Sequence, residues 1–160
     1  MQVSAVARSD GAILPEGRRK DEIIRKLREL GKKSVPALIL ALKDPDVQMR
    51  RNAELAMIDL SGGYNEKQKV DIREAIPDLI EATEDADKDV RAWAAHALAE
   101  IGPDAKPAVP ALVKLTKDPE EGPRNDSCMA LGNIGPEAKD ALPALRADLK
   151  DPNADVRRFA

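Results

Sequence analysis

A Pro, an Asp and an Arg recur with fixed spacing four times along this 160-residue chain. The Asp lies eight positions after the Pro, and the Arg lies six positions after the Asp. The four triplets are Pro36, Asp44 and Arg50; Pro77, Asp85 and Arg91; Pro110, Asp118 and Arg124; and Pro143, Asp151 and Arg157. Successive triplets are 41, 33 and 33 residues apart, and a period of this length is typical of stacked helical hairpins. The spacing therefore predicts a solenoid instead of a single globular core.

The residues around each Pro predict the first helix of a hairpin, helix A. In the first copy, apolar residues recur at helical spacing: Val35, Leu38, Ile39 and Leu42. Pro36 then falls in the first turn, where a missing backbone N–H costs no hydrogen bond. The Asp-Pro or Asp-Ala pair after helix A predicts a turn. One apolar stripe of each helix A is therefore expected to be buried.

The residues after each Asp predict the second helix, helix B, whose positions are counted from the Asp as zero. Position nine carries small residues: Ala53, Ala94, Ser127 and Ala160. Mostly apolar residues at positions five, twelve, thirteen and sixteen complete a predicted buried stripe. Gly102 and Gly135 are predicted C-terminal caps of two B helices. The eight additional residues of the 41-residue step fall just after Ser61.

Residues 34–160 resemble the HEAT repeat family, in particular the bacterial HEAT-like repeats of the phycobilin-lyase type. The resemblance implies an all-α fold, a right-handed α-α superhelix of helical hairpins. In that family an Asp after helix A and an Arg in helix B form ladders along the stack. It therefore implies a structural role for eight residues: Asp44, Arg50, Asp85, Arg91, Asp118, Arg124, Asp151 and Arg157. The alternative, an Arg row that grips phosphates, requires these side chains to be free and to point outward.

The pattern also predicts how the chain is organised. Residues 1–17 show no period and are expected to form a flexible N-terminal arm, followed by one repeat domain over 18–160. Within that domain we expect a capping helix at 18–31 and repeats at about 34–61, 66–102 and 106–135, with a partial repeat at 139–160. The last helix A then has an incompletely covered apolar face, which predicts self-association through this end or continuation into further repeats.

Charge and composition limit the classes of partner. Residues 18–33 carry a net charge of +5, whereas residues 34–160 carry −7. An acidic body with only three aromatic residues argues against a phosphate-dominated interaction, so no nucleic acid is expected. No apolar run approaches the ~18 residues that span a bilayer, so no membrane partner is expected. The single cysteine, Cys128, excludes an internal disulfide; the compartment is left open, with the cytoplasm favoured.

Candidate catalytic and metal-ligating residues are few. Cys128 and His96 occupy positions ten and eleven of neighbouring B helices and are expected to point about 100° apart, so they do not form a nucleophile–base pair. One His and one Cys cannot supply a zinc tetrahedron. HEAT-like deoxyhypusine hydroxylases use His-Glu pairs for iron, whereas Ala97 follows His96 here. The sequence therefore predicts no enzyme activity, no cofactor and no metal site.

The B-helix positions opposite or beside the apolar stripe predict a binding surface on the concave side of the superhelix. It combines apolar and acidic side chains, which would suit a basic or amphipathic protein or peptide. The predicted contact residues are Arg51, Asn52, Leu55, Asp59, Trp93, His96, Glu100, Asp126 and Met129. Trp93 is either a binding anchor or a residue of the seam between repeats one and two.

The expected function is a non-catalytic protein–protein interaction scaffold that binds its partner on this concave face. Two alternatives remain open. The first is a docking segment of a larger multidomain enzyme, for example a lyase. The second is a nucleic-acid-binding repeat protein, for which the basic residues 18–33 would be the contact region.

Overall fold

The computed structural model describes residues 26–27, 29–62 and 69–159. The predicted N-terminal arm at 1–17 lies outside these residues, as does most of the predicted capping helix at 18–31 and most of the insertion after Ser61. Residues 26, 27, 29 and 30 are helical, and Leu27 packs against the hydrophobic core.

From Val35 onward, eight α-helices follow one another along the described part of the chain. The A helices are α1 (Val35–Leu42), α3 (Ile76–Ala82), α5 (Val109–Leu115) and α7 (Leu142–Asp148). The B helices are α2 (Val47–Gly62), α4 (Lys88–Ile101), α6 (Glu121–Ile134) and α8 (Ala154–Phe159). No strand occurs among the described residues, so the predicted all-α fold is confirmed.

The repeated prolines and glycines mark the helix ends. Each A helix has its Pro in the first turn, directly after a short 3-10 segment in all four copies. Gly102 and Gly135 cap the C-termini of α4 and α6 with φ of 71° and 70°. A side chain is strained at such a φ, which explains why Gly occupies both positions. In the first repeat α2 continues through Ser61 to Gly62.

The core lies between the layer of A helices and the layer of B helices. Each B helix packs against the A helix of its own repeat in the first three repeats, and consecutive B helices pack side by side. The largest fully buried side chains include Met57, Leu98 and Leu131, which all occupy position thirteen. Alanines and leucines provide most of this core, because closely packed helices leave little room for large rings.

Two sets of B-helix positions are more deeply buried than the sequence predicts. Ala92 and Ala99, at positions seven and fourteen of α4, lie outside the predicted buried stripe but are only 8% and 3% exposed. They are buried because α6 packs alongside α4; a Cβ on Gly122 would lie 3.8 Å from the Ala92 Cβ. Position ten, which the pattern left outside the buried stripe, is fully buried in all three complete repeats.

On the last A helix, Leu142 and Leu149 are 51% and 54% exposed, whereas Leu145 packs against the core. In the described part of the chain, no helix is both long enough and apolar enough to cross a bilayer.

Candidate protein-binding surface

The repeated Arg and Asp residues meet across repeat boundaries. Arg50 donates from Nε to Asp85 Oδ2 at 2.8 Å and from Nη2 to Asp85 Oδ1 at 3.1 Å. Its Nη1 donates to the backbone carbonyls of Asp44 and Pro45. One guanidinium therefore closes the turn of its own repeat and holds the carboxylate of the next repeat.

The same arrangement recurs twice further along the stack. Arg91 donates to the two Asp118 oxygens at 2.7 and 3.0 Å, and Arg124 donates to those of Asp151 at 2.9 and 3.4 Å. Each of these Asp residues also accepts a hydrogen bond from the backbone N–H two residues later. Because the three guanidinium groups are engaged in this way, they are not the free, outward-pointing row that phosphate binding requires.

The two outer members of the ladder differ from the inner ones. Arg157 donates to the carbonyls of Asp151 and Pro152. The Asp44 carboxylate accepts from the Asp46 N–H, and among the described residues no Arg side chain contacts it. Each rung therefore joins an Arg to the carboxylate of the Asp in the following repeat, whereas the Asp six positions before it contributes its backbone carbonyl.

Arg51, predicted as a contact residue for a partner, lies in a second inter-repeat ion pair. Its Nε donates to Asp87 Oδ1 at 3.0 Å, and its Nη2 lies 2.5 Å from Asp87 Oδ2 and 3.0 Å from Asp89 Oδ2. Asp87 also caps α4 by accepting from the Asp89 and Val90 amides. The guanidinium of Arg51 is thus held by its own chain, which leaves it poorly placed to contact a partner.

His96 lies between two carboxylates of different repeats. Its Nε2 is 3.9 Å from Glu100 Oε1, one turn later on α4, and its Nδ1 is 3.9 Å from Asp126 Oδ1 on α6. Burial raises the pKa of Asp126 to about 6, although the nearby His96 opposes the rise. The structure therefore brings together three predicted contact residues from two repeats.

The other predicted contact residues are spread along the B helices. Leu55, Asp59, Trp93 and Met129 are partly buried, and Met129 packs against the core. Asn52 is exposed and accepts a hydrogen bond from Gln48 at 3.1 Å. We call the surface formed by Leu55, Trp93, His96, Glu100, Asp126 and Met129 the B-helix face.

A comparison of the sequence with known protein families agrees with the ladder geometry. Two overlapping stretches of the chain, residues 35–124 and 76–160, match the family model described as HEAT repeats. The chain belongs to the HEAT repeat family. The resemblance noted from the Asp and Arg spacing is thereby confirmed. No curated protein sequence matches the chain.

Solved structures with similar folds are also repeat proteins. The complex of CpcE and CpcF of phycocyanin lyase from Nostoc sp. PCC7120 matches with a TM-score of 0.69 and 29% identity over 95% of this chain and 64% of that chain. An engineered protein matches with a TM-score of 0.71 and 25% identity over 87% of this chain and 64% of its own. The HEAT repeats described here thus span less than two thirds of either chain.

Designed armadillo repeat proteins for modular peptide recognition match with a TM-score of 0.65 and 22% identity, over 91% of this chain and 74% of theirs. At this identity the match shows the fold alone.

A buried acid that was not predicted from the sequence lies between HEAT repeats one and two. Glu54, at position ten of α2, is fully buried, and neither of its carboxyl oxygens has a hydrogen-bond partner in the part of the chain that the structure describes. Burial raises its pKa to about 9, and the nearby Asp85 adds to the rise. The signal in the sequence was the alignment of Glu54 with Ala95 and Cys128, two small residues at the same position.

Cys128 is likewise buried in the HEAT array. Its Sγ lies 3.9 Å from Asp148 Oδ2, and the other Asp148 oxygen lies 2.7 Å from Lys117 Nζ. Burial raises the pKa of the thiol to about 11, which disfavours the nucleophilic thiolate. Among the described residues, no group of three or more His, Cys, Asp or Glu side chains could hold a metal ion.

Proposed function

We propose that this HEAT repeat array is a non-catalytic scaffold that binds a protein or peptide along the B-helix face. The observation that supports the proposal is the composition of that face. Leu55, Trp93 and Met129 offer partly buried apolar surface, and Glu100 and Asp126 lie on α4 and α6, the helices that carry Trp93 and Met129. Apolar groups ringed by charge are typical of protein interfaces, in which one large aromatic side chain often dominates the binding energy.

The repeat register supports a continuous surface instead of isolated patches. His96 at position eleven of α4 lies against Asp126 at position eight of α6. The same register pairs Leu55, at position eleven of α2, with Trp93, at position eight of α4. A bound segment that follows the stack would therefore meet first the apolar pair of Leu55 and Trp93, and then the polar pair of His96 and Asp126.

A second candidate function is a docking segment of a larger enzyme. The observation that favours it is the similarity to a phycocyanin lyase complex. The match covers 64% of the matched chain of that complex. On this alternative the partner is a catalytic domain or subunit, and the B-helix face is the docking surface.

The proposal is tested by affinity capture from a lysate of the source cell. We expect a protein to be retained by the wild type and lost by a Trp93→Ala, Met129→Ala variant. The matched control is Leu40→Ala on α1, which removes an apolar side chain that is 75% exposed in the other helix layer. Circular dichroism must show that all variants are folded.

Loss of the protein from both variants, or from neither, would contradict the placement of binding on the B-helix face. The identity of a captured protein separates the two candidates, because a docking segment should retain an enzyme domain or subunit. Self-association through Leu142 and Leu149 is a separate expectation. It predicts a molar mass that rises with concentration in light scattering, and a constant monomer mass would overturn it.

A further inference from the structure

A second row of ion pairs joins the repeats in addition to the Arg–Asp ladder. In each rung, a basic residue four positions before the helix-A Pro contacts an acidic residue six positions before the next helix-A Pro. The rungs are Lys32 with Asp71 at 3.8 Å, Arg73 with Asp104 at 3.1 Å, and Lys106 with Glu137 at 2.5 Å. In both rows the cation belongs to one repeat and the acid to the following one, so the stack has a direction.

This direction leaves cations of the fourth repeat without acidic partners. Lys139 and Arg157 occupy the positions that Lys106 and Arg124 occupy in the third repeat. Lys139 is exposed, and no hydrogen bond or ion pair is found for it in the described part of the chain. Arg157 is also exposed, and among the described residues it donates only to backbone carbonyls of its own turn. By contrast, Arg124 is only 14% exposed, because a carboxylate of the following repeat covers it.

The apolar part of the same face is also uncovered. Leu142 directly precedes the Pro of α7, and Leu149 lies six positions after that Pro; they are 51% and 54% exposed. The residues at these two positions of α1, α3 and α5 are no more than 9% exposed: Val35, Leu42, Ile76, Thr83, Val109 and Thr116. Each of those three helices packs against the 3-10 segment that precedes the next A helix. The fourth repeat therefore carries the contact features by which each earlier repeat holds its successor, and we call the surface formed by Lys139, Leu142, Leu149 and Arg157 the fourth-repeat face.

The inner repeats show what fits such a face. The occupant in each case is a helical hairpin with one acid before its first helix and a second acid just after that helix, 14 residues further on. The three pairs of acids are Asp71 and Asp85, Asp104 and Asp118, and Glu137 and Asp151. Charge complementarity with Lys139 and Arg157 thus favours an acidic hairpin over a neutral or basic one.

A second copy of this chain is a less suitable occupant. Its first repeat has Leu30 at the position of the first acid, and Leu27, three residues earlier, packs against the core. That end is therefore already partly covered by the chain itself. Two fourth-repeat faces brought together would place Lys139 and Arg157 of one copy opposite the same cations of the other, and like charges repel.

We propose that the fourth-repeat face docks an acidic helical hairpin of a partner protein. One carboxylate of the hairpin pairs with Lys139, and a second, 14 residues later as in the inner repeats, pairs with Arg157. The first helix of the hairpin packs on Leu142 and Leu149. This surface is separate from the B-helix face, and its partner has the opposite charge to the one expected there.

The test uses two fluorescently labelled synthetic peptides with the sequence of residues 102–135, the hairpin of the third repeat. The first peptide carries Asp104 and Asp118, and the second has the changes Asp104→Asn and Asp118→Asn. Fluorescence anisotropy with the full chain should show at least about tenfold tighter binding of the acidic peptide, because the amides cannot make the charge-assisted hydrogen bonds.

Variants of the full chain locate the binding, once circular dichroism has shown that they are folded. Lys139→Ala, Arg157→Ala should bind both peptides equally weakly. Lys139→Glu, which leaves Arg157 and its turn intact, should also weaken binding of the acidic peptide. The matched control is Lys33→Ala, Lys114→Ala, which removes the same charge from exposed positions outside the face and should bind as the wild type does.

A tethered form covers the case in which an isolated hairpin folds too little to bind. Each peptide is fused to the C-terminus of the full chain through a flexible Gly-Ser linker, which raises its local concentration to about the millimolar range. The acidic fusion should unfold at a higher temperature than the Asn fusion. This difference should vanish when the fusions carry Lys139→Ala and Arg157→Ala.

Equal binding of the two peptides, together with equal unfolding temperatures of the two fusions, would overturn the proposal. Equal loss of affinity in the Lys139→Ala, Arg157→Ala variant and in the Lys33→Ala, Lys114→Ala control would overturn it as well. Self-association competes for the same face. If light scattering shows a dimer of the chain alone that Leu142→Ser, Leu149→Ser abolishes, the face belongs to a second copy and the proposal falls.

Discussion

Arg91 of the second repeat donates two hydrogen bonds to the carboxylate of Asp118 in the third, at 2.7 and 3.0 Å. Both side chains are largely buried, with 13% and 8% of their surface exposed. Although burial opposes it, hydrogen bonds from Arg91 and from the Glu120 amide together hold the pKa of Asp118 below its usual value. The pair therefore joins the second and third repeats through a two-point ion pair that is largely shielded from water.

Removing one member of this pair should destabilise the array strongly. We expect Arg91→Ala to lower the free energy of unfolding by about 3 kcal/mol, because a shielded carboxylate is left without its partner. Chemical denaturation checks this. The control is Lys114→Ala, which breaks an ion pair with Glu84 whose side chains are 72% and 62% exposed and should change stability by no more than about 0.5 kcal/mol. Similar losses in both would contradict a special role for the rung.

Glu54 should make the array less stable as the pH rises. Its folded pKa of about 9 lies above the ordinary value of 4.5, so the unfolded chain releases the proton first. The contribution of Glu54 to the free energy of unfolding is therefore greatest below about pH 4.5 and is lost as the pH rises toward 9. Relative to Glu54→Met, the wild type should lose about 3 kcal/mol between pH 4.5 and 7.

Denaturation at several pH values measures this difference. The exposed Glu74 provides the control, since Glu74→Met makes the same substitution without removing a buried carboxyl group. A difference for Glu54→Met that stays constant with pH would show that Glu54 is ionised in the folded protein.

The partly buried carboxyl group of Asp126 should destabilise the folded chain at neutral pH. Because burial raises its pKa to about 6, its contribution to stability falls as the pH rises from about 4 to 6. We expect Asp126→Asn to raise the unfolding free energy at pH 7 by about 2 kcal/mol. An unchanged or lower stability would contradict the unfavourable environment assigned to this carboxylate.

The stabilising role of a capping glycine can be tested by comparing it with a second glycine inside the same helix. Gly135 has a φ of 70°, so Gly135→Ala should destabilise the array by about 1–3 kcal/mol. Gly132 lies within α6, and a Cβ there would meet no atom within 4 Å. Gly132→Ala should therefore stabilise the helix by up to about 1 kcal/mol. Thermal unfolding of the two variants compares the signs directly.

The thiol of Cys128 should be unreactive in the folded protein. Burial, with the neighbouring Asp148, raises its pKa to about 11, and its side chain is not exposed. A disulfide reagent that releases a coloured thiolate should react slowly with the native chain and rapidly after denaturation. Rapid reaction of the native protein would mean that the boundary between repeats three and four opens readily.

The local features of the repeat could be predicted from the residues themselves. Pro36 and its equivalents restrict the backbone to a conformation that suits the first helical turn, and Gly102 and Gly135 tolerate the φ that ends a helix. The resemblance to HEAT repeats also identified the Asp and Arg residues of the ladder. These inferences needed only local backbone preferences and a short period.

Contacts between repeats were harder to predict. Arg51 was expected to face a partner, but its guanidinium reaches Asp87, 36 residues further along the chain. Glu54 was not singled out, although α4 and the ladder beside it exclude water from its carboxyl group. In both cases the deciding neighbour belongs to another repeat, and its distance depends on how closely the B helices pack.

The helical hairpins, their period and their family could be read from the residues alone, because backbone preferences and apolar spacing act within about ten residues. Packing between repeats was needed to show that Arg50, Arg91 and Arg124 each hold the Asp of the following repeat, that position ten is buried, and that His96 lies between Glu100 and Asp126. These relationships depend on the sideways packing of consecutive B helices, which sets which side chains lose their contact with water and which carboxylates remain without a donor.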